Sequence, residues 1–83
     1  MPQNIKLTIN LFGAFRPFGD ALNVSVPTGS TAAFVKDIIK EQLGQEAALL
    51  VEDAVLADDR SILADDSPVT TQQLSILPPV CGG

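Results

Sequence analysis

Eighty-three residues with 46% apolar and 18% charged side chains make one small domain with a core of its own and leave no room for a second. Five basic against ten acidic side chains give a net charge of −5. No basic run or basic-aromatic patch offsets that charge, which excludes a phosphate-backbone binder. Histidine is absent and Cys81 is the one cysteine, so no zinc site, Ser-His or Cys-His pair, or internal disulfide can be assembled.

No stretch approaches the roughly 20 apolar residues that cross a bilayer. Residues 1–6 lack the basic start and long apolar run of a signal peptide, so a cytoplasmic protein without a membrane partner is expected. No glycine-rich loop of the phosphate-cradling type is present.

Along the chain, Ile5, Leu7, Ile9 and Leu11 alternate with Lys6, Thr8 and Asn10, the period of a half-buried strand. Residues 12–20 break that pattern with two glycines and a proline and read as a loop. Leu22, Val24 and Val26 resume the alternation until Pro27, which predicts a long-looped antiparallel hairpin. Thr28-Gly29-Ser30-Thr31 is turn chemistry followed by helix-start chemistry, with Ser30 as the expected N-cap. Val35, Ile38, Ile39 and Leu43 then recur at helical spacing, which predicts an amphipathic helix over 31–43 ended by Gly44. The runs 48–51 and 54–56 read as a short strand pair around a tight turn at Glu52 and Asp53. Residues 57–68 are polar and read mostly as loop. Leu74, Ile76 and Leu77 form a last strand, stopped by Pro78 and Pro79, which donate no backbone N–H to a ladder.

This order predicts an α+β domain: a mixed sheet of four to five strands with one main helix across one face. If the first and last strands are parallel neighbours, the path through the helix supplies the crossover they need. A β-grasp (ubiquitin-like) architecture satisfies these conditions, and the pattern also permits other split α+β folds. The expected organisation is a domain over 1–77 and an extended, flexible tail over 78–83.

That tail, Pro78-Pro79-Val80-Cys81-Gly82-Gly83, stays apolar nearly to its end and finishes in two residues without side chains. Extended, it reaches roughly 20 Å. The prolines stiffen its base, and Gly82 and Gly83 make its tip thin enough for a narrow channel. An unhindered carboxylate on such a tip is what an enzyme needs to work on the terminus itself. ATP-dependent adenylation of Gly83 followed by displacement of AMP by a sulfur donor would leave a thiocarboxylate. The plainer reading of the same residues is an inert chain end on a non-catalytic interaction domain.

The run Leu77-Pro78-Pro79-Val80-Cys81-Gly82-Gly83 resembles the signature end of the MoaD/ThiS family of ubiquitin-like sulfur carriers, with the nearest likeness to MoaD, the small subunit of molybdopterin synthase. Leu11-Phe12-Gly13-Ala14-Phe15-Arg16 resembles the family's first-strand exit, and Pro27-Thr28-Gly29-Ser30-Thr31 the turn into its long helix. The likeness covers residues 4–44 and 69–83. It implies a β-grasp fold and a Gly83 that is adenylated and thiocarboxylated by a ubiquitin-activating-type enzyme using ATP, with no cofactor bound by the carrier. It further implies a sulfur donor, and a sulfur-accepting synthase such as a molybdopterin-synthase large subunit, into whose active site residues 78–83 insert. The carrier is then a substrate, with no catalytic residue of its own. Related carriers serve thiazole, tRNA-thiolation, amino-acid or secondary-metabolite pathways. Two features depart from the family: Gln72-Gln73 stands where a Gly-Asp turn is common, and 57–68 is longer than the usual connection. The same terminus also suits a protein modifier joined to lysines by an isopeptide bond.

Three further groups bear on function. Cys81 lies near the reactive terminus as a candidate redox thiol, although a small side chain is all the position requires. Phe12, Phe15 and Phe18 form a candidate docking patch, with one expected in the core and one or two partly exposed, and Phe34 lies at the margin of the helix's apolar stripe. Asp58-Asp59 and Asp65-Asp66 lack the spacing, glycine and closing glutamate of a calcium loop and read as solvated acid with Arg60 as counter-charge. No metal site is expected.

Overall fold

The computed structural model describes residues 3–78. The first alternating run is strand β1 (Asn4–Leu11), with Leu7, Ile9 and Leu11 fully buried on one face. It pairs antiparallel with β2 (Ala21–Pro27), matching Leu7 to Val24 and Ile9 to Leu22. The connection is not an open loop. Residues Gly13–Phe18 form a 3-10 helix, because Phe15 is drawn completely into the core and pulls the backbone onto it.

Helix α1 (Ala32–Leu43) buries Val35 and Ile39, as its apolar spacing requires. Its N-cap is Thr31 rather than Ser30: the Phe34 N–H donates to Thr31 Oγ1 at 3.3 Å. Ser30 is one residue too early, and its hydroxyl instead donates to the Pro27 carbonyl at 2.6 Å, tightening the preceding turn. Two more donors of the first turn are met from a distant loop, Ala32 N–H by the Ser67 carbonyl at 2.9 Å and Ala33 N–H by the Asp65 carbonyl at 3.0 Å. Gly44, at φ +89, ends the helix as expected.

The expected strand pair around Glu52 and Asp53 is corrected in part. Gln45–Asp53 is a second helix, α2, which buries Ala47 and Val51 one turn apart and ends on the two acidic residues. A four-residue apolar run fits strand and helix equally by periodicity, and Ala48, Leu49 and Leu50 are good helix formers. A second, shorter helix therefore joins the main one in covering the core. The second half of the expected pair is a strand, β3 (Val55–Ala57). The expected loop over 57–68 contains β4 (Ile62–Leu63), which is too short to show a period, and β5 (Gln73–Leu77) is the last strand.

The five strands make one mixed sheet in the order β2-β1-β5-β3-β4. The central pair, β1 and β5, is parallel, with Ile9 against Leu74 and Leu11 against Ile76, while β3 runs antiparallel to both β5 and β4. Both helices pack on the face that carries these apolar pairs.

Lys36 of α1 is the one charged side chain buried among the described residues. Its Nζ donates to the Glu52 carbonyl at 3.1 Å, one of the last carbonyls of α2, and lies 3.5 Å from Asp65 Oδ1. The negative end of α2 and the Asp65 carboxylate compensate the desolvated ammonium. Asp65 is largely exposed, so the carbonyl contact and the packing of the Lys36 stem carry more than the ion pair. Lys36→Ala is expected to lower the unfolding free energy by about 1.5–3 kcal/mol, and Asp65→Ala by less than about 1 kcal/mol, measured by urea denaturation.

Candidate functional site

Because β1 and β5 are parallel neighbours, the chain leaves both at the same end of the sheet, after Leu11 and after Leu77. Phe12 keeps an extended backbone (φ −125, ψ 159). Its side chain thus continues the alternation of β1 and follows Asn10 to the face opposite the helices. On β5 that face carries Gln73, Ser75 and Leu77. The register pairs Leu77 with Val55, and the next open-face position of β3, Ala57, with Ile62 of β4. The open face therefore has two characters. Toward β2 it is polar, with the Thr8 hydroxyl donating to Asn23 Oδ1 at 3.0 Å and Asn10 beside Ser75. At the end where β5 finishes it is apolar: Phe12 is 43% and Val55 37% exposed, with Leu77 half-buried between strands, and Ile62, 63% exposed, stands one row back beside Ala57. Isolated exposed apolar side chains are ordinary, and it is apolar side chains grouped on one face, as here, that make a candidate for a contact surface.

The tail leaves from this strip. Pro78 is half-buried at the end of β5. Pro79, Val80, Cys81, Gly82 and Gly83, which carry the expected acyl site and redox thiol, lie outside the described residues. The three phenylalanines do not make a patch together. Phe15 is completely buried and is removed from the docking surface, because it is the large apolar group that fastens the 3-10 helix to the core. Phe18 packs partly against that core, and Phe12 faces outward. The neighbours of Phe12 come instead from β3, β4 and β5, which sequence reasoning did not single out. Their signal lay in strand register: Val55 and Leu77 share a face only once β3 is known to pair with β5. Phe34 is 42% exposed in the first turn of α1, away from the strip.

The acidic pairs act separately. Asp58 Oδ1 accepts the Arg60 and Ser61 N–H groups, each at 2.8 Å, and builds the turn between β3 and β4. These two donors, first Arg60 and then Ser61, hold the Asp58 carboxyl below the ordinary aspartate range, and the Arg60 charge adds a smaller contribution. Asp65 faces Lys36. Among the described residues no three Cys, Asp or Glu side chains gather to hold a metal ion, and no helix is long and apolar enough to cross a membrane.

No family model and no curated protein matches the chain. Among solved structures, the crystal structure of SAMP1 from Haloferax volcanii matches with a TM-score of 0.71 at 16% sequence identity, covering 94% of this chain and 99% of that one. At this identity the likeness is one of fold, and the fold is the ubiquitin-like β-grasp.

Phe15→Ala is expected to destabilise the domain by about 3–5 kcal/mol. Phe12→Ala leaves stability within about 0.5 kcal/mol, so thermal melts separate the core residue from the surface one. The depressed Asp58 carboxyl stabilises the β3–β4 turn at every pH above the ordinary aspartate value. That contribution is lost as pH falls from about 4 through the lower folded value. Carboxyl-carbon NMR titration should give Asp58 a midpoint below that of an unfolded aspartate, and Asp58→Ala should flatten the acid limb of the stability curve.

Proposed function

We propose that this chain is a sulfur-carrier protein that works through its C-terminus, as a substrate of other enzymes and not as a catalyst. The Gly83 carboxylate attacks the α-phosphorus of ATP in the site of a ubiquitin-activating-type enzyme, releasing pyrophosphate and leaving an acyl adenylate. A sulfide sulfur then attacks the acyl carbon, AMP departs, and a thiocarboxylate remains. That group is the nucleophile presented to a sulfur-accepting synthase, with molybdopterin synthesis the destination most similar in sequence signature.

The observation that carries this reading is where the segment ending in Gly82-Gly83 begins: Pro78 follows β5 of a β-grasp domain directly, at the end of the sheet where Phe12, Leu77 and Val55 form an apolar strip. A partner that seats on this strip has residues 78–83 delivered to it, and roughly 20 Å of extended chain reaches into an active site below the contact. The net charge of −5 suits a basic partner and opposes a nucleic-acid one, and a cytoplasmic setting is part of this reading.

A second reading is favoured by the structural likeness to SAMP1, a ubiquitin-like small archaeal modifier. In it the same adenylate is passed to lysine amines of target proteins, and an isopeptide bond replaces the thiocarboxylate.

Intact mass after incubation with ATP, a sulfide source and the host's adenylating enzyme separates the two. A carrier gains the mass of one sulfur in place of one oxygen, and removal of Gly83 abolishes the gain. Cys81→Ala, run in parallel, keeps the gain, which distinguishes a thiocarboxylate from a persulfide on the thiol. An unchanged mass together with lysine-linked products supports the modifier. No change of either kind with a competent enzyme overturns both.

A further inference from the structure

The root of the tail is held at a contact that only glycine permits. Gly13 opens the 3-10 helix with φ +57, and a Cβ placed there falls 2.7 Å from Pro78 Cγ and 3.3 Å from its Cδ. Carbon atoms pack at about 3.5–4.0 Å, so the pyrrolidine ring occupies the space of the missing side chain. The Gly13 side of the contact is held by its own neighbours. Gly13 cannot retreat, because Leu11 before it is paired with Ile76 and Phe15 after it is fully buried, with the Phe15 N–H donating to the Phe12 carbonyl at 3.1 Å. The pairing of Leu77 with Val55 and the extended Leu77 backbone bring the Pro78 ring up to Gly13, and contact with that glycine then limits how far the ring can turn.

We propose that Gly13 is a positioning residue, a seat for the Pro78 ring that fixes the direction in which the chain departs from the sheet. The inference rests on the reading of the tail as the reacting segment. Five residues follow Pro78, about 17 Å of extended chain. A change of direction at the seat is therefore amplified into a displacement of the Gly83 carboxylate relative to the apolar strip on which a partner docks. The positive φ of Gly13 explains a glycine for the turn alone. The overlap with Pro78 is a separate requirement, and it couples the first strand's exit to the last strand's exit.

Cys81, the single cysteine, gives a direct test. A nitroxide attached there broadens backbone amide resonances in the folded domain according to where the tail travels, and needs no enzyme or sulfur chemistry. The wild-type protein is expected to show broadening concentrated around one end of the sheet. Gly13→Ala redistributes it, since the added methyl group displaces the ring. Pro78→Ala, which removes Cγ and Cδ, also redistributes it, and Gly13→Ala with Pro78→Ala gives the pattern of Pro78→Ala alone. A folded Gly13→Ala protein with the wild-type pattern overturns the seat, as do two effects that simply add. Should Gly13→Ala fail to fold, Gly13→Ala with Pro78→Ala decides: a double variant that folds again supports the seat, and one that also fails assigns the glycine to its positive φ alone and overturns it. Loss of the mass gain described above with the broadening pattern intact would sink the carrier reading and leave the seat standing.

Discussion

The parallel pairing of β1 with β5 is the constraint on which the other features rest. Parallel neighbours need a long crossover, and the chain between them supplies it with both helices, β3 and β4. The pairing brings Ile9 beside Leu74 and Leu11 beside Ile76 under the helices. A slip of one residue would turn Gln73 and Ser75 into the core and Leu74 and Ile76 out of it, so the register is strongly specified. Parallel direction also decides that the exits of the first and last strands coincide. Gly13 and Pro78 meet for that reason, although more than sixty positions separate them in sequence.

The apolar strip owes its definition to strands rather than loops. Val55, Leu77 and Ile62 stand on ladder positions, and Phe12 extends β1 by one more residue. Side chains on a sheet are held in place by their neighbours' backbone pairing, which suits a surface that must present a fixed shape. The cost falls on a small domain: side chains as large as Ile62 and Phe12 contribute little to burial where the core has few to spare. Compensation comes from dense use of the helix layer, where even Lys36 is buried and joined to the end of α2.

Strong periodicity was legible in the residues themselves. Seven alternating positions define β1, and Val35, Ile38, Ile39 and Leu43 define α1, because each run samples its period more than once. Gln45–Asp53 was not legible as a helix, since its apolar run is shorter than the period needed to identify it, and packing on α1 decided the matter. Ile62 and Leu63 were hidden in a polar stretch because a two-residue strand has no period. For the site, the tail's composition pointed to the terminus, but the surface around its root did not show. Val55, Leu77 and Phe12 are far apart in sequence, and only strand order and register make them neighbours. Phe15 and Phe12 differ by three residues and are chemically identical; the turn of the 3-10 helix sends one inward and leaves the other outside.

The start of α1 has a consequence for the order of events in synthesis. Its first free N–H groups, on Ala32 and Ala33, are met by carbonyls of Ser67 and Asp65, and the Val69 N–H returns a bond to the Ser30 carbonyl at 2.8 Å. A nascent chain that has reached only Gly44 possesses the whole helix sequence and none of these partners. The helix acquires its full complement of bonds when some twenty-five further residues have been added, and β1 gains its inner neighbour only with β5. The cap of α1 and the central strand pair can thus be completed only after residues as late as β5 have been made, although the segments they join are synthesised early.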